Sequence, residues 1–218
     1  MSYITVTGMI GAGKSSLTSL LAERYGSQAF YESVDDNPIL PLFYESSEEE
    51  IQSKRYPFLL QLHFLNTRFQ AIKQAQLDDL NIMDRSIEED KLFLLINYEL
   101  GRINELEFNL YNSLFDNMNE MVEDPHTVIY LRGSFHEIMR RIKRRGREYE
   151  LSEDLVAYYK KLWSRYDEWV FKNFERVNVV VIDIDKVDFV NNEQHKEAVL
   201  NQIDEILREK RKVGSYHE

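Results

Sequence analysis

Residues 3 to 16 read YITVTGMIGAGKSS, and the change of character at Gly8 decides the fold. Tyr3 to Thr7 is a β-branched and aromatic run of the kind that makes a buried parallel strand. From Gly8 to Ser15 the chain matches G-x-x-x-x-G-K-[ST] at every position. Beyond it, Leu17, Leu20, Leu21 and Tyr25 recur at a helical period. A strand, a glycine loop and a helix in that order form a cradle for phosphate. Glycines let the backbone curl until its N–H groups point at phosphate oxygens, and the helix N-terminus adds partial positive charge. The loop residues Gly8, Met9, Ile10, Gly11, Ala12, Gly13, Lys14, Ser15 and Ser16 therefore read as a triphosphate site. Lys14 reaches the terminal phosphates, and the Ser15 hydroxyl suits Mg²⁺. This much names a nucleoside triphosphate, but not what is done with it.

Working outward, four more strands are expected: Gln28 to Tyr31, Asn81 to Asp84, Thr127 to Leu131 and Val177 to Ile182. Helical patterns fill Tyr56 to Gln76, Glu88 to Tyr98, Glu105 to Val122, Phe135 to Arg145, Ser152 to Phe174 and Glu193 to Lys210. ESSEEE, residues 45 to 50, reads as an acidic surface connection that is mobile. The last residues, 211 to 218, read as a tail after one domain spanning 1 to 210. Strands alternating with helices imply an α/β fold with a five-stranded parallel sheet flanked by helices. In such sheets ligands sit beyond the carboxyl ends of the strands. That rule points to Gly8 to Ser15, Glu32, Asp84 with Arg85, Arg132, and Asp183 to Asp188.

Composition narrows the choice. The 218 residues carry a formal net charge of −11, which argues against broad nucleic-acid binding. There are no cysteines, so disulfides and thiolate metal sites are excluded, and a reducing cytoplasm is compatible. No basic stretch precedes the first apolar run, and glycines interrupt it early, so it does not read as a secretory signal. No apolar run approaches the roughly 20 residues of a membrane-spanning helix. Against this acidic background, RRIKRRGR at residues 140 to 147 crowds together Arg140, Arg141, Lys143, Arg144, Arg145 and Arg147. It follows the fourth strand, at the ligand edge. Arg141 and Arg145 share a helix face, and Gly146 supplies a hinge before Arg147. We expect Arg141 and Arg145, with Arg147 beyond the hinge, to clamp phosphate, and Arg140, Lys143 and Arg144 to face solvent.

Two acids stand at strand ends. Glu32 follows the second strand in YESVDDNP, and Asp84 ends the third in NIMDRS. One carboxylate near a transferred phosphoryl group can accept a hydroxyl proton. Another can hold Mg²⁺ or its waters.

The blocks GMIGAGKSS, YESV, NPILPLFY, RYPFLLQLHFLNTRF, DRSIEED, RRIKRRGREYE and VVIDIDKVDF, taken in order, resemble the deoxynucleoside kinases. They are most similar to the bacterial deoxyadenosine and deoxyguanosine kinases, from about residue 2 to about residue 207. The resemblance implies a P-loop kinase fold with a lid over about 141–150, ATP as donor and Mg²⁺. It implies that Glu32 accepts the proton of the 5′-hydroxyl, with Arg85 near that hydroxyl and the phosphates. Asp84 stands where many relatives have glutamate, so it implies reach to Mg²⁺ through water. Gln61 matches the glutamine that bonds the nucleobase, and Arg68 with Asp90 a pair at the base's far edge. Tyr44 and Glu150 match residues on the sugar 3′-hydroxyl, and Arg141, Arg145 and Arg147 match the lid arginines. Asp188 and Phe189 fall in the loop along the ATP adenine. A homodimer built through helices is implied, with the apolar surplus on Tyr56 to Gln76 and Glu105 to Val122 as its physical counterpart.

The reading is thus a deoxynucleoside kinase of purine salvage, deoxyadenosine before deoxyguanosine. One alternative is a nucleoside monophosphate kinase of thymidylate-kinase type. It is disfavoured because Ser33, Val34, Asp35 and Asp36, the residues after Glu32, are neutral or acidic and would repel an acceptor phosphate. A non-catalytic nucleotide-binding member and a nucleic-acid module centred on the basic run are the others. The base itself stays open, because an amide, an arginine and an acid can be arranged for adenine, guanine or cytosine.

Overall fold

The computed structural model describes residues 2–34, 36–146 and 151–214. Five parallel strands form one sheet in the order β2-β3-β1-β4-β5. They are β1 (Ile4–Gly8), β2 (Ala29–Phe30), β3 (Ile82–Asp84), β4 (Thr127–Arg132) and β5 (Asn178–Asp183). The central strand β1 is buried along its whole length, as its β-branched composition requires. Its register with β3 sets Val6 beside Asp84, and its register with β4 sets Gly8 beside Leu131. The tips carrying Gly8, Asp84 and Arg132 therefore lie along one edge. Gly8 has φ 146, and a Cβ there would come within 2.7 Å of the Leu131 carbonyl oxygen. The close strand approach thus requires glycine at the start of the phosphate loop.

Nine helices are described: α1 (Lys14–Tyr25), α2 (Leu40–Glu45), α3 (Glu48–Ser53), α4 (Tyr56–Ala75), α5 (Glu88–Glu99), α6 (Glu105–Asn119), α7 (Phe135–Arg145), α8 (Glu153–Asn173) and α9 (Glu193–Gly214). One buried cluster joins β1, β4 and β5 to Leu17 and Leu21 of α1, Ile138 and Ile142 of α7, Leu162 and Tyr166 of α8 and Ile203 of α9. A second gathers Tyr3 and Met83 with Leu65 and Ile72 of α4, and with Tyr111 and Phe115 of α6. Helix α5 serves both, giving Leu92 and Ile96 to the first and Leu94 to the second. It is therefore held from two sides, which matters because its N-terminus borders the site.

Two expectations are corrected. Residues 45 to 50 are not a structureless connection. Ser47 caps α3 by accepting from the Glu50 N–H, while the Glu50 carboxylate accepts from the Ser47 N–H. That reciprocal cap turns an acidic run into a helix start, since acids favour the positive N-terminal end. The tail is shorter than expected, because α9 continues to Gly214. Ser152 caps α8 as its sequence predicts, its side chain accepting from the Leu155 N–H.

Candidate functional site

The phosphate loop bends from β1 into α1 through Gly13, whose φ of 101 is open to glycine and strained for other residues. A Cβ on Gly13 would stand 3.2 Å from the Phe189 ring and 3.4 Å from Arg141 Nη1, so the loop rests on both. Lys14 is buried, and its ammonium donates to the carbonyl oxygens of Gly8 at 3.0 Å and Met9 at 3.1 Å. Burial, with Arg85 nearby, lowers its pKa to about 8, against the pull of Asp84, Glu89 and Glu32. Across the loop, the Ser15 hydroxyl donates to Asp84 Oδ2 at 2.5 Å. The other Asp84 oxygen is buried and has no hydrogen-bond partner. Burial raises the Asp84 pKa, opposed by Lys14. A hydroxyl and an under-satisfied carboxylate side by side fit a hard divalent cation, which takes few protein oxygens and completes its shell with phosphate and water.

Beside them lies a charge cluster. Arg68 and Arg85 both meet Oε1 of Glu32, Arg68 through Nη2 and Arg85 through Nε, each at 3.0 Å. Neither uses Oε2. Burial pushes the Glu32 carboxyl up, but Arg85, Arg68 and Lys14 outweigh it and hold its pKa near 2. Arg68 also donates through Nε to Asp90 at 2.8 Å and through Nη1 to the Asp84 carbonyl oxygen at 3.3 Å. All three faces of its guanidinium are thus taken. Burial drives Asp90 up to about 6, with Arg68 opposing. Arg85 stacks on Phe93, 4.7 Å from guanidinium carbon to ring centroid.

A cavity of about 630 Å³ joins these parts. Its walls carry Gly13, Lys14, Ser15 and Ser16 of the loop, the charged Glu32, Asp84, Arg85 and Asp90, and the expected Tyr44 and Gln61. Gln61 is 5% exposed, so its amide is set in an apolar wall with Leu60 and Phe64. Arg68 stands behind this wall and does not line it. Asp188 accepts from the N–H groups of Val190 and Asn191, and so shapes its own turn. Phe189 is buried beneath Gly13, and the adjacent Val190 lines the cavity instead. Arg132 pairs with Asp167 at 2.5 Å and is not part of the walls. From α7, Arg141 and Arg145 line the cavity as expected. Arg144 is exposed as expected and also lies on the cavity rim, whereas Arg140 pairs with Glu137 at 2.7 Å. Arg141 is docked rather than projecting. It donates to the carbonyl oxygens of Ala12 at 3.0 Å and Ile184 at 3.1 Å, and to Glu137 at 2.6 Å. Arg147 and Glu150 lie outside the described residues.

Sequence reasoning missed several walls. Phe93 and Asn97 follow Asp90 by three and seven residues on α5, and Phe64 follows Gln61 by three on α4, so helical spacing marks them. Arg102 and Tyr158 lie on the cavity with the Arg102 guanidinium 5.7 Å from the Tyr158 ring centroid, and no local pattern signals either.

A family model described as deoxynucleoside kinase matches residues 4–208. This chain belongs to the deoxynucleoside kinases. The kinase is 44% identical to a deoxyguanosine kinase of Lactobacillus johnsonii, across 96% of this chain and 94% of that one. It is also 44% identical to a deoxyadenosine kinase of Lactobacillus acidophilus, across 96% of this chain and 98% of that one. Its fold is similar to a solved deoxyadenosine kinase of M. mycoides with bound dATP. The TM-score is 0.76 at 28% identity, over 93% of this chain and 99% of the other. The protein is therefore a phosphotransferase acting on deoxynucleosides. The non-catalytic and nucleic-acid alternatives fall away, as does the monophosphate-kinase reading. Arg68 and Arg85 face Glu32, so the neutral and acidic residues that follow it in sequence do not by themselves set its surroundings. Among the described residues, no helix is long and apolar enough to cross a membrane.

Proposed function

We propose that the kinase moves the γ-phosphoryl group of ATP to the 5′-hydroxyl of a purine deoxynucleoside, deoxyadenosine ahead of deoxyguanosine, for salvage in the cytoplasm. One observation carries this reading. A single cavity has the phosphate loop, Glu32 with Arg85, and the buried amide of Gln61 on its walls, in a volume that suits a small ligand.

Glu32 is held ionised, with Oε1 taken by two arginines. Its Oε2 accepts the hydrogen bond of the 5′-hydroxyl and aims the oxygen lone pair at phosphorus. As the bond from the 5′-oxygen to phosphorus forms and the bond from phosphorus to the β,γ-bridging oxygen breaks to release ADP, the hydroxyl becomes acidic and its proton passes to Glu32. The transition state is loose and spreads charge over its equatorial oxygens, so positioning and positive charge do most of the work. Lys14, Arg85 and Arg145 supply that charge, while Arg141 braces the loop by its bond to Ala12. Ser15 and Asp84 would hold Mg²⁺, which when bound neutralises charge on the β- and γ-phosphate oxygens.

The two relatives at equal identity act on different purines, so identity does not choose the base. Gln61 favours adenine, since an amide donates to N7 and accepts from N6–H together. Asp90 can accept from an exocyclic amine at the far edge. Tyr44, with Glu150, is assigned to the 3′-hydroxyl. A homodimer is supported by α6, where Leu106 is 78%, Leu110 52% and Leu114 38% exposed along one face. The test is a panel of the four deoxynucleosides with ATP and Mg²⁺. Deoxyadenosine is expected to give the highest kcat/KM. Turnover of nucleoside monophosphates alone would sink the reading.

A further inference from the structure

Glu89 is wholly buried, and none of the chemistry above uses it. It lies in the first turn of α5, three residues after Ser86. The Ser86 N–H donates to Glu89 Oε2 at 2.9 Å, and the Glu89 N–H donates to Ser86 Oγ at 3.3 Å. This reciprocal cap accounts for one carboxylate oxygen as an ordinary helix start. It leaves the other unexplained. Oε1 accepts from Arg85 Nη1 at 3.0 Å, from the Gly8 N–H at 3.4 Å and from the Tyr166 hydroxyl. The three donors come from three places: the turn after β3, the first residue of the phosphate loop, and α8. Tyr166 tightens the set, because its oxygen lies 3.0 Å from the Gly8 carbonyl oxygen and accepts from Arg85 Nη1 at 3.1 Å.

Arg85 itself needs holding. Its φ is 80, a left-handed conformation rare for residues other than glycine. Such backbone persists only where its surroundings over-determine it, and it concentrates at functional sites. Here the Ser86 cap fixes the following peptide, and Oε1 fixes the guanidinium by one end. The other end then meets Glu32.

We propose that Glu89 is a positioning residue for phosphoryl transfer: it locks Arg85 and Gly8 to one carboxylate oxygen, so that the arginine and the phosphate loop meet the transferred group in fixed relation. The proposal rests on the role given above to Arg85. Displacements of about 1 Å at such a centre cost on the order of 10²-fold in rate.

The experiment is a double-mutant cycle on the whole chain, measuring kcat and nucleoside KM. Glutamine has one acceptor oxygen where glutamate has two, so in Glu89→Gln the Ser86 cap and the three-donor site cannot both be served. We expect kcat to fall about 10²-fold while KM changes less than about threefold. On an Arg85→Ala background the same change should cost less than about tenfold further, because the arginine is gone and only the Gly8 and Tyr166 contacts remain to be lost. Wild-type kcat in Glu89→Gln, or a loss that multiplies in full on Arg85→Ala, overturns the proposal. If Glu89→Gln does not fold, Tyr166→Phe carries the test. It removes one donor to the same oxygen, and kcat should fall about tenfold at unchanged KM, the scale of one lost hydrogen bond. Wild-type kcat there overturns the proposal as well. Arg85→Ala with wild-type kcat would instead refute the role of Arg85, which separates the two failures.

Discussion

The kinase carries two concentrations of positive charge, and they are built in opposite ways. Arg68 and Arg85 are 4% and 3% exposed, and both are paired with carboxylates of the protein itself. The arginines at the end of α7 lie on the outside of the fold, and Arg140 is half exposed with a partner on its own helix. Buried charges must be paired, because an unpaired one is costly in a low-dielectric interior. Surface charges need no such pairing, and water screens them. The difference teaches that the floor of the cavity is held by ion pairs within the protein, as burial of its charges requires. On the proposed function, the α7 arginines bring positive charge to the substrate phosphates. Arg141 bridges the two types, since it is half-buried and tied to Ala12 of the phosphate loop.

The comparison breaks most visibly at Glu32. Removing its carboxylate in Glu32→Ala should lower kcat by up to about 10⁴-fold, the upper range for a general base, in steady-state assays with deoxyadenosine. Wild-type turnover would mean that the floor is structural and the chemistry lies elsewhere. Arg145→Ala should lower kcat by about 10³-fold and change nucleoside KM little, as for a cation that acts on the transferring phosphoryl group. An unchanged kcat would reduce the α7 cluster to surface charge.

Smaller still is the effect of pH on Lys14. Burial depresses this ammonium to about 8, so it is charged below that value and neutral above it. A pH profile of kcat/KM for ATP should therefore fall about tenfold per unit beyond about pH 8, since that ratio reports the free enzyme. A flat profile to pH 10 would mean that the buried floor does not tune its lysine. The smallest change belongs to Arg140→Ala, where kcat and KM should both stay within about twofold. A larger loss would show that the pairing with Glu137 steadies Arg141, which shares that acid at 2.6 Å.

Much of the site was legible along the chain. Gly8 to Ser15 announced its function because a phosphate loop is local: backbone, lysine and hydroxyl sit within eight consecutive residues. Glu32 and Asp84 were legible as strand-end acids, and Gln61 with Phe64 lies on a readable helical face. What could not be read was the company these residues keep. Glu32 is followed by acids in sequence but faced by arginines from α4 and from the turn after β3. Arg144 is exposed as its place in a charge run suggests, but that place gave no sign that it also borders the cavity. Nor does the chain signal that Phe189, in the loop assigned to the adenine, packs beneath Gly13. The acidic segment after Tyr44 became α3 because Ser47 and Glu50 cap it, a pairing that the surplus of charge concealed.

By itself, then, the sequence determined the parallel α/β order, the phosphate loop and the family, because strand and helix periods and contiguous motifs are properties of neighbours along the chain. The tertiary structure alone decided which carboxylate holds which guanidinium. It gave Glu32 two arginines on one oxygen and Glu89 three donors on one oxygen. Those partners come from elements up to 81 residues apart, and only packing around the sheet edge, where burial forces every charge to find a partner, brings them together.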